Sequence, residues 1–235
     1  MPSPPPRPFV LLNMAMSADG KIATANRRIE TFGSSLDHAH LLDLRATADA
    51  VICGARTAGQ KGITLDPGGA QFQRRRLRRG LEEFHYRVVV SGSASLDPDA
   101  DLFRCGKGPS IVLVSRSAPP RRIRNLRQAA NEVRAFGNTE VDLREALRWL
   151  RREHGIRRLV CEGGPELNDA LLRAHLIDEI HLTWCPKVVG GQDALTWVEG
   201  TGLQRLADAH LVTLQRRRQA GHESFLVFRV SNALR

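Results

Sequence analysis

At 235 residues the chain can bury one good core, as a single α/β domain or at most two small ones. Its 42% hydrophobic content excludes a disordered chain, and no apolar run approaches the ~20 residues that span a bilayer. A net charge of +10, from 35 Lys plus Arg against 25 Asp plus Glu, raises nucleic acid as a partner; with 5% aromatics to stack bases and the arginines scattered, that role is disfavoured.

The start, Met1-Pro2-Ser3-Pro4-Pro5-Pro6-Arg7-Pro8, has no apolar segment of the signal-peptide kind. It reads as a loose or extended arm over residues 1–8, ahead of a single domain over residues 9–235. Phe9 to Met16 is the first candidate strand. Asp19-Gly20 beyond it is a strong turn signal that sets Lys21 just past the strand's carboxyl end, where ligands of α/β sheets gather. Lys21 is there either a donor or point charge for a substrate oxygen or phosphate, or an ordinary turn lysine. Helical periodicity covers Leu36 to Thr47, with His38 and His40 two apart and so on different faces. Strand-like runs follow at Ala50 to Cys53, Arg87 to Ser91, Ile111 to Val114 and Glu132 to Phe136. The densest basic run, Arg74-Arg75-Arg76-Leu77-Arg78-Arg79, lies in a Gly- and Gln-rich stretch and reads as a solvated loop, or else as a patch holding phosphate non-specifically.

Leu143, Ala146, Leu147 and Leu150 restore helical spacing, opened by Asp142 with Glu145 three residues on, an N-terminal capping pattern. Leu159 to Cys161 is then a short apolar run, after which Leu167, Ala170, Leu171 and Ala174 fall on one helical face. Between them stand Gly163 and Gly164, which bring no Cβ near a ligand, and Pro165, suited to the first helical position. Unpaired amides at such a start, with the positive end of the dipole, favour a phosphate or pyrophosphate, although Gly-Gly-Pro also makes a plain strand-to-helix turn. Glu179 to Cys185 is a further strand, with His181 packed in it or at its edge. Leu211 to Arg216 and Phe225 to Val230, joined through Gln219-Ala220-Gly221-His222, read as an antiparallel hairpin closing the sheet edge. The alternation elsewhere implies a mainly parallel sheet of about nine strands with helices on both faces. Cys53, Cys105, Cys161 and Cys185 lack C-x-x-C spacing and read as reduced, mostly buried cysteines of a cytoplasmic protein, with no metal site implied.

The blocks Met16-Ser17-Ala18-Asp19-Gly20-Lys21-Ile22-Ala23, Leu44 to Thr57, Cys161-Glu162-Gly163-Gly164-Pro165-Glu166-Leu167, and Leu176 to Ile180 with Pro186-Lys187-Val188-Val189-Gly190-Gly191 together resemble the reductase domain of bacterial riboflavin biosynthesis. The resemblance runs from about Arg7 to the end of the chain. It implies a dihydrofolate-reductase-like fold, a homodimer, and NADPH as cofactor for reducing the ribosyl group of a pyrimidine ribosylamine phosphate at C1′, an activity like that of 5-amino-6-(5-phosphoribosylamino)uracil reductase. It also implies that Gly54, Thr57, Gly163, Gly164 and Pro165 face the cofactor, and that Ser115 and Arg116 lie where the adenosine end binds, Arg116 being either a partner for a 2′-phosphate or a solvated arginine. Lys21 and Glu162 match catalytic positions near the substrate sugar, while Asp19, Ser34 and Asp66 match substrate-binding ones. Glu162 hydrogen-bonds ribose hydroxyls or relays a proton in that scheme; its structural alternative is a carboxylate capping local N–H groups.

Two departures stand out. The family's Asp-Asp-Pro-x-Leu-Thr-x-Arg-like segment is replaced by Thr57-Ala58-Gly59-Gln60-Lys61-Gly62-Ile63-Thr64-Leu65-Asp66-Pro67-Gly68-Gly69, with one Asp-Pro and no matching arginine. The zinc deaminase signature, H-x-E followed by P-C-x-x-C, is absent. The expected activity is thus that of a stand-alone NADPH-dependent reductase. A diverged reductase of dihydrofolate or another imine or carbonyl compound is the alternative, and a non-catalytic nucleotide- or nucleic-acid-binding protein is the alternative of another class.

Overall fold

The computed structural model describes residues 7–26 and 33–231; most of the expected N-terminal arm, residues 1–6, lies outside them. Among the described residues nine strands, β1 (Phe9–Met16), β2 (Ala50–Gly54), β3 (Tyr86–Val90), β4 (Ser110–Val114), β5 (Glu132–Ala135), β6 (Arg158–Cys161), β7 (Glu179–Trp184), β8 (Val212–Ala220) and β9 (Glu223–Val230), alternate with seven α-helices. The helices among the described residues are α1 (Ser35–Arg45), α2 (Ala55–Ala58), α3 (Ala70–Arg78), α4 (Asp101–Arg104), α5 (Pro120–Ala129), α6 (Leu143–Glu153) and α7 (Pro165–Arg173). The strand order is β5-β4-β3-β2-β6-β1-β7-β9-β8, a mixed, mostly parallel sheet as the alternation implies. No helix among the described residues is long and apolar enough to cross a membrane. Two compact units are distinguishable: residues 7–9 with 42–160, and residues 10–26 and 33–41 with 161–231.

In the first unit β2, β3, β4 and β5 pair in parallel, with Ile52 beside Val88 and Val88 beside Ile111. Successive strand residues face opposite ways. Yet Val51, Ile52, Cys53, Val88, Val89, Val112 and Leu113 are all 0% exposed, so both faces of these strands are covered. α6 starts as its sequence predicts, with Asp142 accepting from the Glu145 amide, and it buries Leu143, Ala146, Leu147, Trp149 and Leu150.

The basic run corrects the sequence reading. Instead of a solvated loop, residues 70–78 form α3, because Phe72 and Arg76 share a face four residues apart and Phe72 packs on Leu42 and Ala46. Arg74, Arg75 and Arg78 are exposed, whereas Arg76 is 1% exposed. Its guanidinium donates from Nε to the Glu82 carbonyl (2.9 Å) and from Nη1 to those of Arg45 (2.8 Å) and Ala48 (2.6 Å).

In the second unit β1 pairs in parallel with β7, while β9 runs antiparallel to both β7 and β8. The predicted hairpin is there but longer than its apolar residues indicate, with β8 continuing through Arg216, Arg217 and Arg218 to a tight turn at Gly221, whose φ is 57°. Residues 212–219 of β8 are exposed one after another, on both faces. His181 is 3% exposed and pairs through Nδ1 with His40 Nε2 (3.3 Å) and through Nε2 with Glu179 (2.7 Å), a contact between α1 and β7 that the sequence does not announce.

Candidate functional site

The site residues expected from the sequence fall into two sets, one in each unit. In the second unit the turn after β1 is closed by Ser17, whose amide donates to the Lys21 carbonyl (2.9 Å) and whose Oγ accepts from the Lys21 amide (2.8 Å). Asp19 at its tip has both oxygens engaged, Oδ1 by Ser17 Oγ (2.7 Å) and the Val189 amide (3.1 Å), and Oδ2 by the Gly190 amide (2.8 Å). Those bonds hold its carboxyl down at about 2, so it is ionised at any working pH and ties the turn to the 188–191 loop. The Lys21 ammonium donates to the Ala194 carbonyl at 2.8 Å, and its backbone bridges Thr196. Ser34 bonds Glu223 through its amide and its hydroxyl, both at 2.7 Å, fastening the entry to α1 onto the start of β9.

The Gly-Gly turn lies between β6 and α7, as predicted. Gly163 has φ 79°, and a Cβ there would come within 3.1 Å of Met14 Sδ, so both conformation and space call for glycine. The Gly163–Gly164 peptide bond is cis. Gly164 is the N-cap of α7 and Pro165 opens the helix, with no side chain capping its first turn. That leaves a helix start of the kind that takes an anion. Glu162, just before it, is half-buried.

One segment reaches both the lysine turn and the glycine turn. Glu199 accepts from the Thr196 amide (2.7 Å) and hydroxyl (2.8 Å), and its own amide donates to the Pro165 carbonyl (3.2 Å). Asn168 of α7 donates to the Trp197 carbonyl at 2.7 Å, and Gly200 comes so close to the Asp169 carboxylate that a Cβ would lie 2.1 Å from Oδ2. Sequence reasoning missed residues 194–200 altogether. The one available signal was the pairing of a glycine, Gly200, with a threonine–glutamate motif, Thr196 and Glu199, in a stretch with no periodicity.

In the first unit, Gly54, Ser115 and Arg116 stand at or just past the carboxyl ends of the parallel strands β2 and β4, with Thr57 in the first turns of α2. Ser115 is 1% exposed and turned inward, its Oγ bonded to the Gly92 carbonyl and Ser117 Oγ, both at 2.9 Å. Arg116 is exposed and reaches Asn138 Oδ1 at 3.4 Å. Asp66 Oδ1 accepts from the Lys107 amide at 2.7 Å.

Beneath Asp66 lies His85, 1% exposed, its Nε2 2.6 Å from the Leu65 carbonyl. Burial first, and then the charges of Arg76, Arg45 and Arg87, push its pKa down to about 3. His85 is therefore neutral and donates from Nε2, since a carbonyl only accepts. A base whose folded pKa lies below its unfolded one contributes stability that is complete above the unfolded value and lost as pH falls towards the folded one. Urea unfolding midpoints are expected to decline from pH 6.5 towards pH 3, and that part of the slope is expected to flatten in His85→Gln. A His85→Gln profile parallel to that of the parent protein would contradict it. Burial likewise pushes the Cys161 and Cys185 thiols up to about 12.

Residues 8–220 match the model of the RibD C-terminal domain. The chain is 36% identical over 224 residues to the 2,5-diamino-6-ribosylamino-4(3H)-pyrimidinone 5′-phosphate reductase of Methanothermobacter thermautotrophicus, covering 95% of this chain and 99% of that protein. It is 34% identical over 194 residues to the protein of the same name from Archaeoglobus fulgidus, covering 83% and 87%. The fold is similar to that of Acinetobacter baumannii RibD, with a TM-score of 0.77 at 21% identity over 96% of this chain and 58% of that one. It is also similar to that of a pyrimidine reductase-like protein from Corynebacterium diphtheriae, with a TM-score of 0.76 at 20% identity over 95% and 92%.

Proposed function

Because the chain belongs to the RibD C-terminal domain family, we propose that it is an NADPH-dependent reductase of 2,5-diamino-6-ribosylamino-4(3H)-pyrimidinone 5′-phosphate, converting the ribosyl group to ribityl. The observation that carries this reading is the alignment with the Methanothermobacter reductase along 99% of that protein's length.

Each unit, taken by itself, has a feature that suits a phosphate of such a dinucleotide. α7 opens uncapped behind Gly163, and Arg116 stands exposed past β4, a fitting cation for a 2′-phosphate. NADPH, when bound, supplies the hydride. The chain's own residues do the rest. Lys21, aimed by the Ala194 carbonyl, donates a proton to the sugar ring oxygen as the C1′–O bond opens. Glu162 accepts from the ribose hydroxyls and Asp66 from the substrate, while Asp19 and Ser34 act through the turns they fasten. Purified protein is expected to bind NADPH in preference to NADH, quenching the tryptophan emission, and to oxidise it with the diaminopyrimidinone substrate faster than with the deaminated uracil compound. Turnover with neither pyrimidine would overturn the reading, and turnover with dihydrofolate instead would favour the diverged alternative.

The same reading makes the enzyme a homodimer of cytoplasmic location. The dimer is supported by apolar surface, much of it in one stretch: Leu203 (49% exposed), Leu206 (92%), Leu211 (53%), Val212 (45%) and Leu214 (50%). Leu206→Asp with Leu214→Asp is expected to halve the mass seen in sedimentation equilibrium. A parent protein that already sediments as a monomer would end the dimer reading.

A further inference from the structure

Residues 63–68 join α2 to α3 without regular structure, and a connector of this kind ordinarily leaves its carbonyls to water. Here buried or half-buried side chains take them one after another. Arg87 Nη1 donates to the Thr64 carbonyl (3.5 Å), His85 to that of Leu65 (2.6 Å), Arg45 Nη1 to that of Asp66 (2.5 Å) and Gln73 Nε2 to that of Gly68 (3.1 Å). The donors come from α1, α3, the approach to β3 and β3 itself, so the loop is gripped from several elements at once.

The grip is costly to build. Arg87 is 3% exposed, its guanidinium cupped by the Leu102 carbonyl and by that of Gly108 (2.6 Å), and its Nε is buried without a hydrogen-bond partner among the described residues. Gly106 leaves the space, since a Cβ there would lie 1.8 Å from Arg87 Nη1. His85 Nδ1 is likewise buried with no hydrogen-bond partner among the described residues. A covering loop has no need of two such desolvated groups. At the centre of the grip Leu65 has φ 58°, the left-handed region, with its side chain 2% exposed. Such a conformation in a non-glycine residue persists only where the surroundings over-determine it. What it fixes is the next residue, Asp66, held also by the Lys107 amide on Oδ1 and taking no hydrogen bond on Oδ2 from the described residues.

We propose that Arg45, His85 and Arg87 are positioning residues for the substrate, acting through the carbonyls of residues 64–66 to aim the Asp66 carboxylate. This rests on the reading that Asp66 contacts the substrate. In this chain, then, two arginines and a neutral histidine set the carboxylate of a segment, residues 57–69, that carries no arginine of its own.

The test compares His85→Leu, His85→Gln, Arg45→Met and Asp66→Asn in the full chain, reading kcat and KM for the diaminopyrimidinone phosphate, NADPH Kd, and amide hydrogen exchange over residues 63–69. His85→Leu and Arg45→Met are expected to raise KM about 10-fold or more, to speed exchange over 63–69, and to leave NADPH Kd unchanged. His85→Gln, which keeps an N–H donor, is expected to recover most of the KM. If His85→Leu does not fold, Arg45→Met on the half-buried side carries the comparison. Unchanged exchange would show that the side chains do not hold the loop and would overturn the proposal. Faster exchange with unchanged KM would overturn it too, provided Asp66→Asn itself raises KM. If Asp66→Asn leaves KM unchanged, the assignment of Asp66 to the substrate is what fails, and the positioning role falls with it.

Discussion

Lys21→Ala is expected to lower kcat by roughly 10²- to 10³-fold, the usual loss on removing a general acid, while the protein keeps its melting temperature to within a few degrees. The fold should tolerate the change, because the bonds that close the turn use the Lys21 amide and carbonyl, which alanine retains. The side chain itself gives up one bond, to the Ala194 carbonyl, worth about 1 kcal/mol. Lys21→Arg is expected to restore little, since a planar fork cannot reproduce a point donor already aimed by one carbonyl. Stopped-flow measurement of NADPH oxidation separates the outcomes. A fall in kcat with NADPH binding intact supports a proton donor at the sugar; an unchanged kcat removes Lys21 from the chemistry and leaves it a turn lysine.

Arg76→Met should produce the largest loss of stability, about 3–5 kcal/mol, the range for breaking a buried polar network. Methionine matches much of the volume but donates nothing to the carbonyls of Arg45, Ala48 and Glu82. Each carbonyl left buried and unpaired costs about 1–3 kcal/mol, against a total stability for such domains of about 5–15 kcal/mol. Burial lowers the guanidinium pKa to about 10, so it remains charged at neutral pH and its donors remain in place. Arg74→Met and Arg78→Met, on the exposed face of the same helix, should stay within about 0.5 kcal/mol of the parent in urea unfolding. Equal losses at all three positions would mean that α3 depends on its charge and not on the one inward guanidinium.

That contrast also explains what was legible in the sequence. The buried strands could be located because strands covered on both faces must be written as short apolar runs, and β2 and β4 are almost nothing else, while the exposed β8 was found only as the partner of β9 in a hairpin. α6 was legible from its period and its Asp142 cap, and the Gly-Gly turn from the change of period across it. α3 was not, since the inward member of its arginine run differs from its neighbours in position alone, while Leu77, the residue that looks apolar, is 55% exposed. α5 escaped notice for a related reason, with Leu126 its one buried residue among arginines. The anchoring of Lys21 was beyond reach of local pattern, because its carbonyl partner arrives 173 residues later. The grip on residues 64–68 was equally hidden, since it consists of side chains from four places bonding to backbone, and backbone carbonyls leave no mark in a sequence.

Of the four cysteines, Cys53, Cys161 and Cys185 are buried and Cys105 is exposed. Two of the buried thiols, held protonated near 12, are poor nucleophiles as well as inaccessible ones. In its folded state the molecule thus offers one exposed thiol to an electrophile. That sulfur sits between Leu102, whose carbonyl cups Arg87, and Lys107, whose amide holds Asp66. A single maleimide fluorophore would therefore attach beside the 63–68 loop without engineering, and its emission would report the loop's setting in real time as substrate arrives and product leaves.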